Sequence, residues 1–331
     1  MLDVFVTDGF QRKTLAAVRA LGRAGRTVGV GEVTRWAPAL SSRHARKSWV
    51  YPRDPVNWLA DRSREWRVLL PMEEETLLSV MDRAGNFSCR LPFASAEKIR
   101  LVRDKAWVAD QPEAPRRIDR APCVVKPRVG SGSRGRVYCG TEEERTRAAG
   151  PATVVQERVV GEARCVSLLY DMEGNCCAAF VHRRLHEYPA DGGPSTWRES
   201  IRDDALVDRA RAIVARVGWR GVIQLEFKGE YLLDVNPRFW GSLNLAVEAG
   251  MNFPDLLYRM ALGEKVRQFE YRVGVRSLWK TGELLRSLSG KWPAWRGVDD
   301  FFDSRDRAAG WMSLCSPIPL LTHFRGFLKP R

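Results

Sequence analysis

Long apolar runs are absent from this chain of 331 residues. No stretch reaches the about 18 consecutive apolar residues of a membrane-crossing helix, so no membrane span is expected. Histidine is scarce, with only His44, His182, His186 and His323. Chemistry that needs several imidazoles is disfavoured, and a polar surface is the simplest place for His182 and His186. Cysteine is neither rich nor ordered: there are seven, and only Cys176 and Cys177 are adjacent. This excludes a zinc-type spacing and argues against a disulfide framework. Reduced thiols in a cytoplasmic protein are the simplest account. The opening MLDVFVTDG carries acids and reads as a strand, unlike the basic, apolar start of a secretory leader. Asp8-Gly9 after it reads as a strand-ending turn, not as a cofactor loop.

Acidic residues are in deficit, 40 against 54 basic ones, for a net charge of +14. A nucleic-acid partner would call for clustered cations with interleaved aromatics. The excess is instead arginine spread along the chain, so no nucleic acid is expected. Two local enrichments stand out, RHARKSWVYPR at 43–53 and FRGFLKPR at the end. Solvated basic surfaces are the simplest explanation, and attraction of anionic substrates is a second. The last 30 residues place Trp311, Phe324 and Phe327 among cations, the composition of a membrane-surface segment, but without a clear helical period. Apolar content of 44% with 28% charged residues fits a globular protein with two or three subdomains.

The chain begins with alternating elements. Residues 2–7, 27–30, 67–71 and 89–93 read as strands, and 14–25 and 73–84 as helices. This βαβ alternation predicts a small doubly wound parallel sheet over residues 1–94. Helix 95–109, strand 122–127, strand 136–139 and helix 141–149 follow. Strands at 152–158, 164–170 and 175–183 predict an antiparallel sheet, with helices at 203–217, 241–250 and 253–262. Residues 183–202 read as a long loop, 277–288 as a helix and 290–331 as irregular.

Two motifs carry chemistry. The segments VIQLEF (222–227) and YLLDV (231–235) form a hairpin around Lys228-Gly229-Glu230. Antiparallel pairing brings Glu226 near Asp234, and alternation puts Asp234 and Asn236 on one face. Three oxygen-bearing side chains of this kind suit Mg²⁺, which is held by one or two carboxylates plus substrate phosphates. Arg238 adds a planar donor fork for an anion. Upstream, strand 122–127 carries Lys126 into a loop with Gly130, Ser131, Gly132, Ser133 and Gly135. Such a loop can turn backbone N–H groups onto phosphate, with the lysine as a point charge. It is not the Walker pattern, which ends in Gly-Lys-Ser/Thr, and the strand that follows it separates it from a dinucleotide fingerprint.

Over residues 1–265 the order of these elements resembles the ATP-grasp superfamily, specifically its carbamoyl-phosphate-synthetase-like carboxylate–amine ligases. The resemblance implies a mixed α/β and α+β fold. Its parts are an N-terminal domain at 1–94, a first grasp subdomain with the glycine loop at 95–150, a second with the metal site at 151–270, and an extension at 271–331. It implies ATP and Mg²⁺, with Mn²⁺ as a substitute. Lys105 and Lys126 would meet phosphates under the loop 130–135. Gln156, Glu157, Arg158 and Val160 would hold adenine and Glu162 the ribose. Glu226, Asp234 and Asn236 would hold the metal. Arg238 and Lys126 would act at the transferred phosphoryl group. Phe239-Trp240-Gly241-Ser242-Leu243 is similar to how the subfamily leaves its metal strand.

A substrate-side lid follows from the same resemblance, with Arg184, Gly193, Ser195, Arg198 and Arg238 binding a carboxylate. Residues 110–121 read as a Pro- and charge-rich linker, shorter than the family's segment, which predicts a nucleotide pocket open on one side. Partners are then small carboxylates and amines, with a homodimer allowed. Three functions stay open: a carboxylate–amine ligase, an enzyme using bicarbonate or a carbamate, and a nucleotide-binding module without chemistry.

Overall fold

The computed structural model describes residues 1–301 apart from Ser131, Ala190, Asp191, Pro293 and Trp295, together with Asp303, Asp306 and Ala309. Ser131 of the glycine loop, and the reading placed on Trp311, Phe324 and Phe327, fall outside the described residues.

Four parallel strands build the first sheet: Leu2–Val6, Val28–Glu32, Ala45–Val50 and Trp66–Leu70. Their spatial order is third, second, first, fourth, so the first strand lies inside the sheet. It is buried because helices cover both faces; Val4, Phe5 and Val6 are fully enclosed. The strand Ala45–Val50 sits where the sequence showed only a basic enrichment, and it is largely exposed at the sheet edge. The predicted strand 89–93 does not form; a single bridge between Val68 and Arg90 stands in its place.

The predicted helix 95–109 is two helices, Ala96–Arg103 and Lys105–Ala109. Asp104 between them is extended, and its carboxylate accepts the Ala106 N–H at 2.8 Å. An aspartate that caps the next helix ends the previous one. This break makes Lys105 the first residue of its own helix, and its N–H donates to the Arg128 carbonyl at 2.8 Å.

Cys123–Pro127 is the middle strand of a three-stranded antiparallel sheet, between Val137–Cys139 and Thr153–Gln156. The largest sheet has seven strands, in the order Tyr231–Asn236, Gly221–Lys228, Ala163–Tyr170, Cys176–Glu187, Ser195–Ile201, Arg276–Leu278, Val298–Asp299. All its pairings are antiparallel except the last.

Three expectations about this sheet are corrected. The strand expected at 152–158 belongs instead to the three-stranded sheet, as Thr153–Gln156 beside Cys123–Pro127. Residues 183–202 are not a long loop: Cys176–Glu187 runs on to Glu187, and Ser195–Ile201 pairs back against it. The charged residues in these strands broke the apolar alternation that marks a half-buried strand. Likewise, 277–288 is the strand Arg276–Leu278 followed by the helix Lys280–Leu288. Among the described residues no helix is long and apolar enough to cross a membrane.

Candidate active site

The hairpin Gly221–Lys228/Tyr231–Asn236 fixes the central geometry. Glu226 and Asp234 are directly paired across the strands, and Asn236 is paired with Gln224. A bulge after Glu226 shifts the register beyond it, and Gly229 takes a positive φ of 55° in the turn. Asn236 Nδ2 donates to Glu226 Oε1 at 3.0 Å, and Glu226 Oε2 lies 2.5 Å from the Arg184 guanidinium. Burial would raise the Glu226 carboxyl, but Arg184 and the Asn236 hydrogen bond hold it below the ordinary range. Asp234 goes the other way. Burial pushes it up, and the neighbouring Glu226 adds to this against the pull of Lys105 and Lys126. Two opposed carboxylates, one of them raised, are a site that a hard cation would relieve. Among the described residues no group of three His, Cys, Asp or Glu side chains converges. The oxygen donors here are these two carboxylates and the Asn236 amide, a set that fits Mg²⁺ completed by phosphate and water.

Both predicted lysines face the same cleft. Lys105 Nζ lies 3.4 Å from Asp234 Oδ1 and donates to the Gly130 carbonyl at 2.8 Å. Lys126 Nζ donates to Gln156 Oε1 at 3.1 Å. Burial draws the Lys126 ammonium down to about 8, against the opposing charge of Asp234. The cleft lies between the three-stranded and seven-stranded sheets and is open to solvent. Its lining includes Lys105, Lys126, Gly130, Ser133, Glu157, Arg158, Arg184, Glu226 and Asp234.

The glycine loop leans on the opposite hairpin. Ser133 Oγ donates to the Gly192 carbonyl at 2.6 Å, and Arg136 donates to the same oxygen. Gly130, Gly132, Ser133 and Gly135 all have positive φ. On the other side, a Cβ on Gly193 would lie 1.9 Å from the Tyr188 carbonyl oxygen, so this turn admits only glycine.

The remaining predicted residues spread over three environments. At the hinge, Gln156 is buried and donates to the Pro115 carbonyl at 2.8 Å, while Glu157 grips Arg116. Val160 is 80% exposed, and Glu162 is ion-paired with Arg183 at 3.1 Å; neither lines the cleft. Arg198 is the clearest correction. It is fully buried, hydrogen-bonded to the Ser195 carbonyl and Ser277 Oγ at 3.0 Å each, and paired with Asp300. It holds the fold together and does not face a substrate. Ser195 is also buried, with its hydroxyl turned to strand carbonyls. His182 is likewise not on the surface: it is 1% exposed, contacts Ser242 Oγ at 3.2 Å, and burial depresses its pKa well below normal.

Arg238 is buried, and its side chain donates to the Phe239 carbonyl at 2.8 Å. Its Nε is 3.8 Å from Glu74 and, among the described residues, has no hydrogen-bond partner. Beside it lies a pair that sequence reasoning missed, Lys13 and Glu73, 2.6 Å apart. Burial, with Arg238 nearby, lowers Lys13 to about 8. Burial works to raise Glu73, but Lys13 and Arg238 overcome it and keep it below the ordinary range. No local signal marks Lys13, which sits on an ordinary helix. Its position at the carboxyl ends of parallel strands was the available clue.

Residues 150–282 match the family described as ATP-grasp in the biosynthetic pathway with Ter operon. No curated protein matches the chain in sequence. Among solved structures, the chain is similar to N5-carboxyaminoimidazole synthetase from Staphylococcus aureus complexed with ADP. The TM-score is 0.67 at 13% identity, over 87% of this chain and 86% of that one. The biotin carboxylase domain of Hydrogenobacter thermophilus 2-oxoglutarate carboxylase, in complex with MgADP, ADP and bicarbonate, aligns with a TM-score of 0.63 at 15% identity, over 83% and 73%. L-amino acid ligase from Bacillus licheniformis aligns with a TM-score of 0.60 at 14% identity, over 80% and 75%. The chain has the ATP-grasp fold.

Proposed function

We propose that this protein is an ATP-dependent ligase that activates a carboxylate as an acyl phosphate and joins it to an amine. The observation that carries this reading is the Glu226–Asp234 pair, set directly across one hairpin and facing Lys105 and Lys126 in one cleft. A pocket that only bound nucleotide would not need opposed carboxylates beside two phosphate-type lysines. The ADP, MgADP and bicarbonate named with the similar structures are ligands of the kind this site would take.

The residues divide the work as follows. Lys105, Lys126 and the backbone of the 130–135 loop hold the phosphates. Gln156, Glu157 and Arg158 border the adenine end, with Val160 and Glu162 beyond it. Glu226, Asp234 and Asn236 would hold Mg²⁺, or Mn²⁺ in its place, which would neutralise phosphate charge. Arg184 sets the orientation of Glu226. A carboxylate oxygen of the substrate attacks the γ-phosphorus, and the bond to the ADP oxygen breaks. The amine then attacks the acyl carbon and phosphate leaves. Arg238, with donors to spare, faces the charge on the transferred group. Positioning and electrostatics carry the rate, so scarce histidine is no obstacle. The reaction is assigned to the cytoplasm, with residues 1–94, 95–150, 151–270 and 271–331 as working units and a homodimer allowed.

The test is ADP release on pooled amino acids and small carboxylates, with and without amines. The wild type should release ADP only with the correct acid and Mg²⁺, and Asp234→Asn should lose at least about a hundredfold in rate. Full turnover in Asp234→Asn would overturn the assignment.

A further inference from the structure

Cys123 and Cys139 stand directly opposite each other in the three-stranded sheet, on the strands Cys123–Pro127 and Val137–Cys139. Opposed residues of antiparallel strands carry Cβ atoms about 4.5–5.5 Å apart, against about 3.5–4.5 Å in a disulfide, so a slight approach of the strands joins them. Both are buried, and they share one apolar cluster with Val125, against which Ile118, Ala148 and Val155 pack. Among the described residues no other two cysteines are opposed in this way. Cys176 and Cys177 are neighbours in one strand and point to opposite sides of it.

The position matters because of what the two strands carry. Between the cysteines run Lys126 and the glycine loop, whose Ser133 and Arg136 reach the Gly192 carbonyl. The strand Val137–Cys139 has three residues, pairs only with Cys123–Pro127 and forms the sheet edge. Ala148 on the cover belongs to the helix Glu142–Ala148, none of whose residues is fully buried. A cover with so little buried apolar surface opens locally far more readily than the core. Closed, the pair is unreactive, because burial, with Cys139 beside it, holds the Cys123 thiol above its ordinary range. Opened, both thiols meet solvent together.

We propose that Cys123 and Cys139 are a modification site, which hydrogen peroxide oxidises to a disulfide that fixes the arm of the glycine loop. One thiolate attacks a peroxide oxygen; the O–O bond breaks, giving a sulfenic acid and a hydroxide that takes up the first thiol proton. The second sulfur then attacks the first, the S–O bond breaks, and the hydroxyl leaves as water with the second thiol proton. Two thiols lose two electrons and two protons, and the peroxide becomes two waters. The site does not rest on the ligase reading. To test it, the full-length protein is treated with hydrogen peroxide, alkylated and mapped by mass spectrometry without reduction. Peptides joined through Cys123 and Cys139 are expected, and dithiothreitol should restore both thiols. Amide hydrogen exchange over residues 126–139 should slow by about threefold or more in the oxidised protein and recover on reduction. Cys123→Ser and Cys139→Ala should each abolish the slowing, and Cys89→Ser should leave it. Failure of the wild type to join Cys123 to Cys139 would overturn the proposal, whichever other thiols react. So would a linkage that leaves exchange unchanged, or slowing that persists in Cys139→Ala.

Discussion

Lys126 shows how burial turns a common residue into a conditional one. Its ammonium is pulled down to about 8 because desolvation outweighs the attraction of Asp234. Phosphate binding needs the charged form and restores the ordinary preference for it. Below pH 8 the lysine is already protonated, and nucleotide affinity should be flat. Above pH 8 binding must first take up a proton, so affinity should fall with rising pH, by at most about tenfold per unit. A titration of MgADP affinity from neutral to alkaline pH checks this, and Lys126→Arg should flatten the curve because arginine stays charged. An unaltered slope in that variant would move the titration to Lys13, which burial also lowers to about 8.

Among elements, the two hairpins show which local signals are legible in a sequence. Gly221–Lys228/Tyr231–Asn236 was readable because its apolar residues alternate, its turn carries glycine and its acids stand apart. The hairpin of Cys176–Glu187 with Ser195–Ile201 was not. Its strands hold Arg183, Arg184, His186, Arg198 and Glu199, and much of their pairing comes from distant residues, as when Arg276 meets Glu199 at 2.8 Å and Arg198 meets Asp300. The turn between them holds the glycine loop through the Gly192 carbonyl, which accepts from Ser133 and Arg136. Gly193→Ala would force a Cβ to within 1.9 Å of the Tyr188 oxygen, so the turn must rearrange. MgADP affinity should fall by about tenfold, while thermal unfolding moves little because the turn is peripheral. Unchanged affinity would show that the loop closes without this anchor.

For the whole molecule, the decisive feature is a set of long-range ion pairs between the first helix and the far end of the described chain. Asp300 accepts from Arg12 at 2.6 Å, from Ser277 at 2.8 Å and from Arg198; Asp306 accepts from Arg19 and Ser42 at 2.7 Å each; Arg23 reaches Asp303. Removing the shared acid by Asp300→Ala would leave two guanidinium groups unpaired, one of them fully buried. The expected loss is about 3 kcal/mol or more, seen as a lower denaturant midpoint. An unchanged midpoint would mean that water replaces the carboxylate at no cost.

The sequence by itself determined the parallel first sheet, the hairpin that opposes Glu226 and Asp234, and the lysine that enters the glycine loop. All of these rest on periodicity and turn chemistry within about ten residues, which any reading of the chain can reach. Only the tertiary structure decided that Arg198 is bound to Asp300, that His182 is enclosed, and that Lys13 and Glu73 border Arg238. These depend on which charges meet across separations of tens to hundreds of residues. The energy of a buried charge is set by its partner and by the loss of water, and neither is encoded next to it in the chain.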